Sequence, residues 1–197
     1  MNSVPRNEIS RKAIHLFASV IPLGYYLVIP DRWLGVKILF LCSVFSIAIE
    51  VGRKRLPRLE LFFNRWFYFM LRKHESRGKT TGATWLLIGS CITIGLFPKE
   101  IAVPALLFLT VGDTFAAIVG ITFPMGRIRE KTISGGLAGM ILSLAVILPI
   151  MQNIDVEILI LGGFAAMLIE LSPIPLNDNL TIPVLSGFVM LSGSQLL

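Results

Sequence analysis

Five ionisable side chains lie inside or at the ends of long apolar runs: His15, Lys37, Glu50, Asp113 and Glu170. Charge in such a setting is costly unless it is paired or used, so each is a candidate for chemistry. Lys37 lies near one end of its run and can reach the interface, and it is assigned no role. Two polar clusters accompany the rest: Lys131 and Thr132 ahead of Ser134, Gly135 and Gly136, and the run Asn177, Asp178 and Asn179. Asp113, Asp178 and Glu170 offer hard oxygen ligands of the kind Mg²⁺ takes from one or two carboxylates, the remaining positions going to phosphate and water. Lys131 beside a glycine-rich helix start has the makings of a phosphate cradle. Gly135-x-x-x-Gly139 is equally a small-residue helix contact, and both readings stand at this point. Ser134 is expected to cap the helix that follows, and Asp178 or Asn179 to cap the last one. Arg11 and His15, four apart with Lys12 between them, are expected on one helix face. Glu50 with Arg53, and Arg72 with Glu75, have the spacing of intrahelical ion pairs.

The elements that must carry these groups are set by composition. Of 197 residues, 54% are hydrophobic and 15% charged, with mean hydropathy +0.77. Soluble domains carry about 25% charge, so the chain lacks the polar residues to cover a water-facing surface. Disorder, collagen-like repeats, coiled coil and a disulfide scaffold are excluded on the same grounds; Cys42 and Cys91 lie in apolar runs and read as small hydrophobes. An integral membrane protein remains. Continuous apolar runs at 13–30, 33–51, 82–97, 101–120, 134–151, 154–171 and 180–195 predict seven transmembrane helices in one all-α bundle, a single domain over 1–197. Strands are disfavoured because a membrane barrel alternates in and out. Segment 57–73 mixes aromatic rings with Arg58, Glu60, Arg65, Arg72 and Lys73. It reads as an amphipathic helix in the interface, with an eighth span or re-entrant hairpin as the alternative.

With the N-terminus inside, every one of the 18 Lys and Arg residues except Arg32, Lys37 and Lys99 falls on the cytoplasmic side. That asymmetry orients the chain and accounts for its +6 net charge without nucleic acid. It also brings His15, Glu50, Asp113 and Glu170 toward one leaflet, with basic residues around them. Such a site suits a magnesium polyphosphate meeting a lipid.

Gly78-Lys79-Thr80 has the ending of a P-loop, but Lys73 stands where that motif needs glycine and no strand precedes it. The soluble protein-kinase signatures are absent. The residues instead resemble the family of dolichol kinases, phytol kinases and CTP-dependent diacylglycerol kinases. The matching pieces are Arg11-Lys12-x-x-His15, Glu50-x-x-Arg53 and Val111-Gly112-Asp113-Thr114-x-Ala116-Ala117-x-x-Gly120. They continue with Lys131-Thr132-x-Ser134-Gly135-Gly136, Glu170-Leu171-x-Pro173 and Asn177-Asp178-Asn179-Leu180-x-Ile182-Pro183. The Asp113 and Lys131 blocks are also similar to phosphatidate cytidylyltransferases, whose Gly-His-Gly-Gly and double-aspartate ending this chain lacks.

The resemblance implies CTP-dependent phosphorylation of a membrane lipid alcohol, either a polyprenol, a phytol-like alcohol or diacylglycerol, giving lipid phosphate and CDP. Asp113, Asp178 and Glu170 are then expected to hold Mg²⁺. Lys131, Thr132, Ser134, Gly135, Gly136 and Asn179 are expected around the CTP phosphates, with Arg11 and Lys12 as outer clamps. Glu170 or His15 is expected to take the alcohol proton. The expected partners are CTP, the lipid alcohol and the bilayer, with a homo-oligomer left open. The expected location is a prokaryotic inner membrane with the site toward the cytoplasm. A lipid-phosphate cytidylyltransferase is the nearest enzyme alternative, and a small ion-coupled transporter the alternative outside enzymes.

Overall fold

The computed structural model describes residues 3–67 and 80–196. The expected pairing of Arg72 with Glu75, the Gly78-Lys79 dipeptide and the end of segment 57–73 lie outside those residues. The described chain is helical apart from one two-stranded hairpin. Its helices are α1 (Arg6–Phe17), α2 (Val20–Leu27), α3 (Arg32–Arg55), α4 (Pro57–Phe67), α5 (Gly82–Leu96), α6 (Lys99–Leu107), α7 (Asp113–Thr122), α8 (Ile133–Ile150), α9 (Val156–Leu171) and α10 (Asp178–Gly193). A π-helical segment, Phe108–Gly112, joins α6 to α7, so 99–122 runs as one broken-register helix.

Each of the seven apolar runs is helical. Among the described residues, three helices are long and apolar enough to cross a membrane: Arg32–Arg55, Lys99–Thr122 and Ile133–Ile150. The first run, expected as one helix over 13–30, is two helices with a turn at Ala18–Ser19. Ser19 spends its hydroxyl on Thr110 of the π segment, at 2.8 Å. Segment 57–67 forms helix α4, which carries an exposed apolar edge at Leu61 and Phe62.

The 99–122 helix is the axis of the molecule. Its Val103, Leu106, Leu107, Phe108 and Leu109 are buried, and they meet Ile147 of α8, Leu159 of α9 and Ile182 and Met190 of α10. Around it α7 packs on α8, α8 on α9, α9 on α10, α10 on α5 and α5 on α3. Helix α1 lies against α7 and the π segment, and α2 against α6. Removing this much apolar surface from lipid gains little by itself, so close packing and polar contacts must hold the helices together. The α7–α8 crossing shows how: a Cβ on Gly139 would stand 2.6 Å from the Gly112 carbonyl oxygen, and one on Gly135 would collide with the carbonyl of Ala116. These two glycines face α7 and let the two backbones touch.

Candidate active site

Two helices bring the first pair of charges together. Lys12 is buried on α1, and its Nζ donates to the Asp113 carboxylate at 2.5 Å and to the Asp113 carbonyl at 3.0 Å. His15, one turn further along α1, places Nε2 3.3 Å from the same carboxylate oxygen. That nitrogen is buried and has no hydrogen-bond partner among the described residues. The π segment sets this up, since its altered register turns Asp113 toward α1 while the residues before it stay in the core. Thr114 closes the turn by donating to the Thr110 carbonyl at 2.7 Å.

Of the three basic residues on this part of α1, it is Lys12 and His15, three apart, that face Asp113. Arg11 turns aside and pairs with Glu8 at 2.5 Å. Helix geometry allows both the three- and four-residue pairing, and the position of Asp113 decides between them.

The second pair comes from the hairpin and from α10. Strands β1 (Arg127–Ile128) and β2 (Lys131–Thr132) pair antiparallel. Gly126 enters the hairpin at φ 63°, a conformation that favours glycine. Lys131 Nζ then donates to Asp178 Oδ2 at 2.9 Å and to the Glu170 carbonyl at 2.6 Å. One lysine thus ties the hairpin to the end of α9 and the start of α10. Asp113 lies within electrostatic reach of Lys131, and Glu170 within reach of Asp113, Lys131, Lys12 and Asp178. The Glu170 side chain also lines a narrow cleft with Phe108, Gly136, Gly139, Ser143 and Met167.

The helix ends differ from expectation in two places. Thr132, not Ser134, caps α8, accepting from Gly135 N at 3.1 Å. Ser134 instead ties the preceding loop, donating to the Phe123 carbonyl at 2.6 Å and accepting from Met125 N at 3.1 Å. Asn177, not Asp178 or Asn179, caps α10, accepting from Asn179 N at 3.0 Å. That leaves the Asp178 carboxylate free to meet Lys131, and the Asn179 amide donates to the Gly82 carbonyl on α5 at 2.7 Å.

The start of α8 is also not the open phosphate cradle expected of Ser134, Gly135 and Gly136. Ile133 N donates to Gly126 O, Ser134 N to Met125 O and Gly135 N to Thr132 Oγ1. The chain fills its own helix terminus. Gly136 packs toward Met167, where a Cβ would come within 2.9 Å. The carboxylates do not form a ready-made metal cage either: among the described residues no group of three or more His, Cys, Asp or Glu side chains is placed to hold a metal. Asp113 and Asp178 each hold a lysine instead.

One cluster was only half legible. Glu50 and Arg53 form the expected pair, at 2.8 Å, and both are buried. The second Glu50 oxygen accepts from Thr81 N at 2.9 Å and from Thr84 Oγ1 at 3.4 Å. The Thr81-x-x-Thr84 start of α5 was the available signal.

No protein-family model matches the chain, and no solved structure matches it significantly. Three curated proteins are similar over nearly the whole chain. An uncharacterized protein of Rickettsia prowazekii is 27% identical over 90% of this chain and 90% of its own length. The CTP-dependent diacylglycerol kinase 1 of Eremothecium gossypii is 27% identical over 95% of this chain and 67% of its own. The CTP-dependent diacylglycerol kinase 1 of Saccharomyces cerevisiae is 23% identical over 95% of this chain and 73% of its own. The described residues are thus mostly helical, with helices long and apolar enough to cross a membrane, and the chain is distantly similar along its length to CTP-dependent diacylglycerol kinases.

Proposed function

We propose that this protein transfers the terminal phosphate of CTP to the hydroxyl of a membrane lipid alcohol, releasing lipid phosphate and CDP. The observation that carries the reading is the convergence of Lys12–Asp113 and Lys131–Asp178. These pairs join residues 101 and 47 positions apart in the chain, and one cleft is lined both by Gly112, next to Asp113, and by Glu170, whose carbonyl accepts from Lys131. The distant similarity to CTP-dependent diacylglycerol kinases supports a CTP-dependent lipid kinase, and the alcohol is part of the proposal.

Phosphoryl transfer asks for positioning and charge neutralisation more than covalent chemistry. Lys131, paired to a third-exposed carboxylate, can exchange that partner for phosphate oxygens at little net cost, because Asp178 is then free for another cation. The donor set fits Mg²⁺ bound together with a polyphosphate, since that ion needs only one or two protein carboxylates. Asp113 and Asp178, with Glu170 beside them, would hold it, and it would neutralise developing phosphate charge. Lys131 grips the phosphates, and Lys12 holds Asp113 in place on the inner side. Thr132 and Asn179 hold the backbones of the hairpin and of α10, and Arg11 stands at the outer edge. The lipid oxygen bonds to the terminal phosphorus as the bond from that phosphorus to the bridging oxygen of CDP breaks. The alcohol proton passes to Glu170 or to His15, whose Nε2 stands 3.3 Å from the Asp113 carboxylate. The reading places the site at the cytoplasmic leaflet of a seven-span bundle in a prokaryotic inner membrane.

The test is purified protein with Mg²⁺, radiolabelled CTP and a panel comprising a polyprenol, phytol and diacylglycerol. Labelled lipid monophosphate and CDP are expected, with loss of labelling in Asp113→Ala. A CDP-lipid and pyrophosphate would overturn the reading in favour of nucleotidyl transfer. So would equal activity in Asp113→Ala.

A further inference from the structure

The buried cluster around Glu50 lies outside the lysine–carboxylate pairs, yet it connects to one of them. Glu50 sits near the end of α3 with 7% of its surface exposed, and Arg53 with 4%. An ionised carboxylate so placed in a membrane bundle is expensive and needs several partners. Among the described residues it has three: the Arg53 guanidinium at 2.8 Å, the Thr81 N–H at 2.9 Å and the Thr84 hydroxyl at 3.4 Å. Thr84 also lies 2.7 Å from Ser46 Oγ and 3.3 Å from Thr81 Oγ1, which ties α3 to the first turn of α5 at a second point.

The position of these contacts gives them meaning. Thr81 is the N-cap of α5, and its own side chain makes no capping bond. In a capping box, an acid three residues into the helix reaches back to the N-cap N–H. Here that position is Thr84, and the acid arrives from α3. Glu50 supplies a carboxylate to the positive end of α5 from a neighbouring helix. The next residue, Gly82, presents the carbonyl that accepts from the Asn179 side chain at 2.7 Å. Further along α5, Gly89 lies so close to the Asn179 carbonyl that a Cβ there would collide with it. Asn179 is bonded covalently to Asp178, which holds Lys131. A continuous path therefore runs from Glu50 through the first turn of α5 to the carboxylate that faces Lys131.

We infer that Glu50 is a positioning residue for the nucleotide end of the site. By capping α5 across the helix boundary it fixes the Gly82 carbonyl, and through Asn179 it fixes where Asp178 meets Lys131. This rests on the proposed use of Asp178 and Lys131 with CTP, and adds a residue that touches no substrate. A neutral cap would satisfy Thr81 equally well in hydrogen bonds. The charged one, clamped by Arg53, holds α3 and α5 in a single register.

The experiment is a double-mutant cycle in the full-length protein in lipid nanodiscs. Variants are Glu50→Gln, Asn179→Ala and the combination, with Thr84→Ala as the milder break in the same cluster. Each single variant is expected to raise the KM for CTP about tenfold, the scale of losses from groups that orient ligating residues. The KM for diacylglycerol or polyprenol should stay unchanged. The combined variant is expected to be no worse than the worse single one, because both break one path. Additive effects, or an unchanged KM for CTP in folded Glu50→Gln and Thr84→Ala, would overturn the inference. Hydrogen exchange of the amides at 179–181 gives a second readout that needs no activity. Faster exchange there in Glu50→Gln is expected, and unchanged exchange refutes the connection. A wild-type protein that labels no lipid with CTP would fail the proposed function, while the exchange result still decides the path.

Discussion

The two lysine–carboxylate pairs use the same chemistry in different surroundings. The Lys12 and Asp113 side chains retain 5% and 16% of their exposure, against 33% and 36% for Lys131 and Asp178. The first pair lies between α1 and the buried central helix; the second lies at the rim, where a hairpin meets α10. A buried pair strongly resists losing one partner, because the remaining charge is left uncompensated. A third-exposed pair is screened by water and holds its geometry weakly. The difference teaches that only one of the two pairs is easily opened. The inner pair fixes where Asp113 stands, and the outer pair can trade its partners for an incoming phosphate.

The largest expected effect is on the inner pair. Lys12→Met should cost about 3–5 kcal/mol of stability, read as a lowered thermal midpoint in detergent, and abolish lipid labelling. The double variant Lys12→Met with Asp113→Leu should recover most of the stability while remaining inactive. Recovery of activity would show that neither charge takes part. Next comes the outer pair: Lys131→Ala or Asp178→Ala should change stability by no more than about 1 kcal/mol yet raise the KM for CTP more than tenfold. A large stability loss there would erase the contrast between the pairs. Smaller again is the response to salt, since screening acts on exposed charges over about 8 Å at physiological ionic strength. Raising salt should weaken CTP use without moving the thermal midpoint. The smallest effect belongs to Lys37→Leu, an exposed residue on α3 that faces no part of the cluster; activity within twofold of wild type is expected.

The central helix and α3 show what a sequence can and cannot convey in such a protein. Both are apolar enough to cross a membrane, yet 78% of the best window in 99–122 is buried against 22% in Arg32–Arg55. Their hydropathy is nearly the same, because lipid and protein interior are equally apolar, so periodicity cannot separate the axis from the perimeter. Helix positions were therefore legible and their neighbours were not. Likewise, the candidate carboxylates and lysines could be read from charge in apolar runs. The contacts that aim them could not: Thr132 and Asn177 as caps, the loop closing α8, and the acid that α3 lends to α5 all depend on long-range approach.

The π segment carries a consequence for any length change in the central helix. An α-helix turns about 100° per residue, so deleting one residue within 108–112 would swing Asp113 and all of α7 around the axis by that angle. Pro104 to Leu107 would keep their seats, whereas the carboxylate would leave Lys12 behind and the glycine contact with α8 would be lost. The five residues thus act as a phase shifter, letting one rod answer to two separate sets of neighbours.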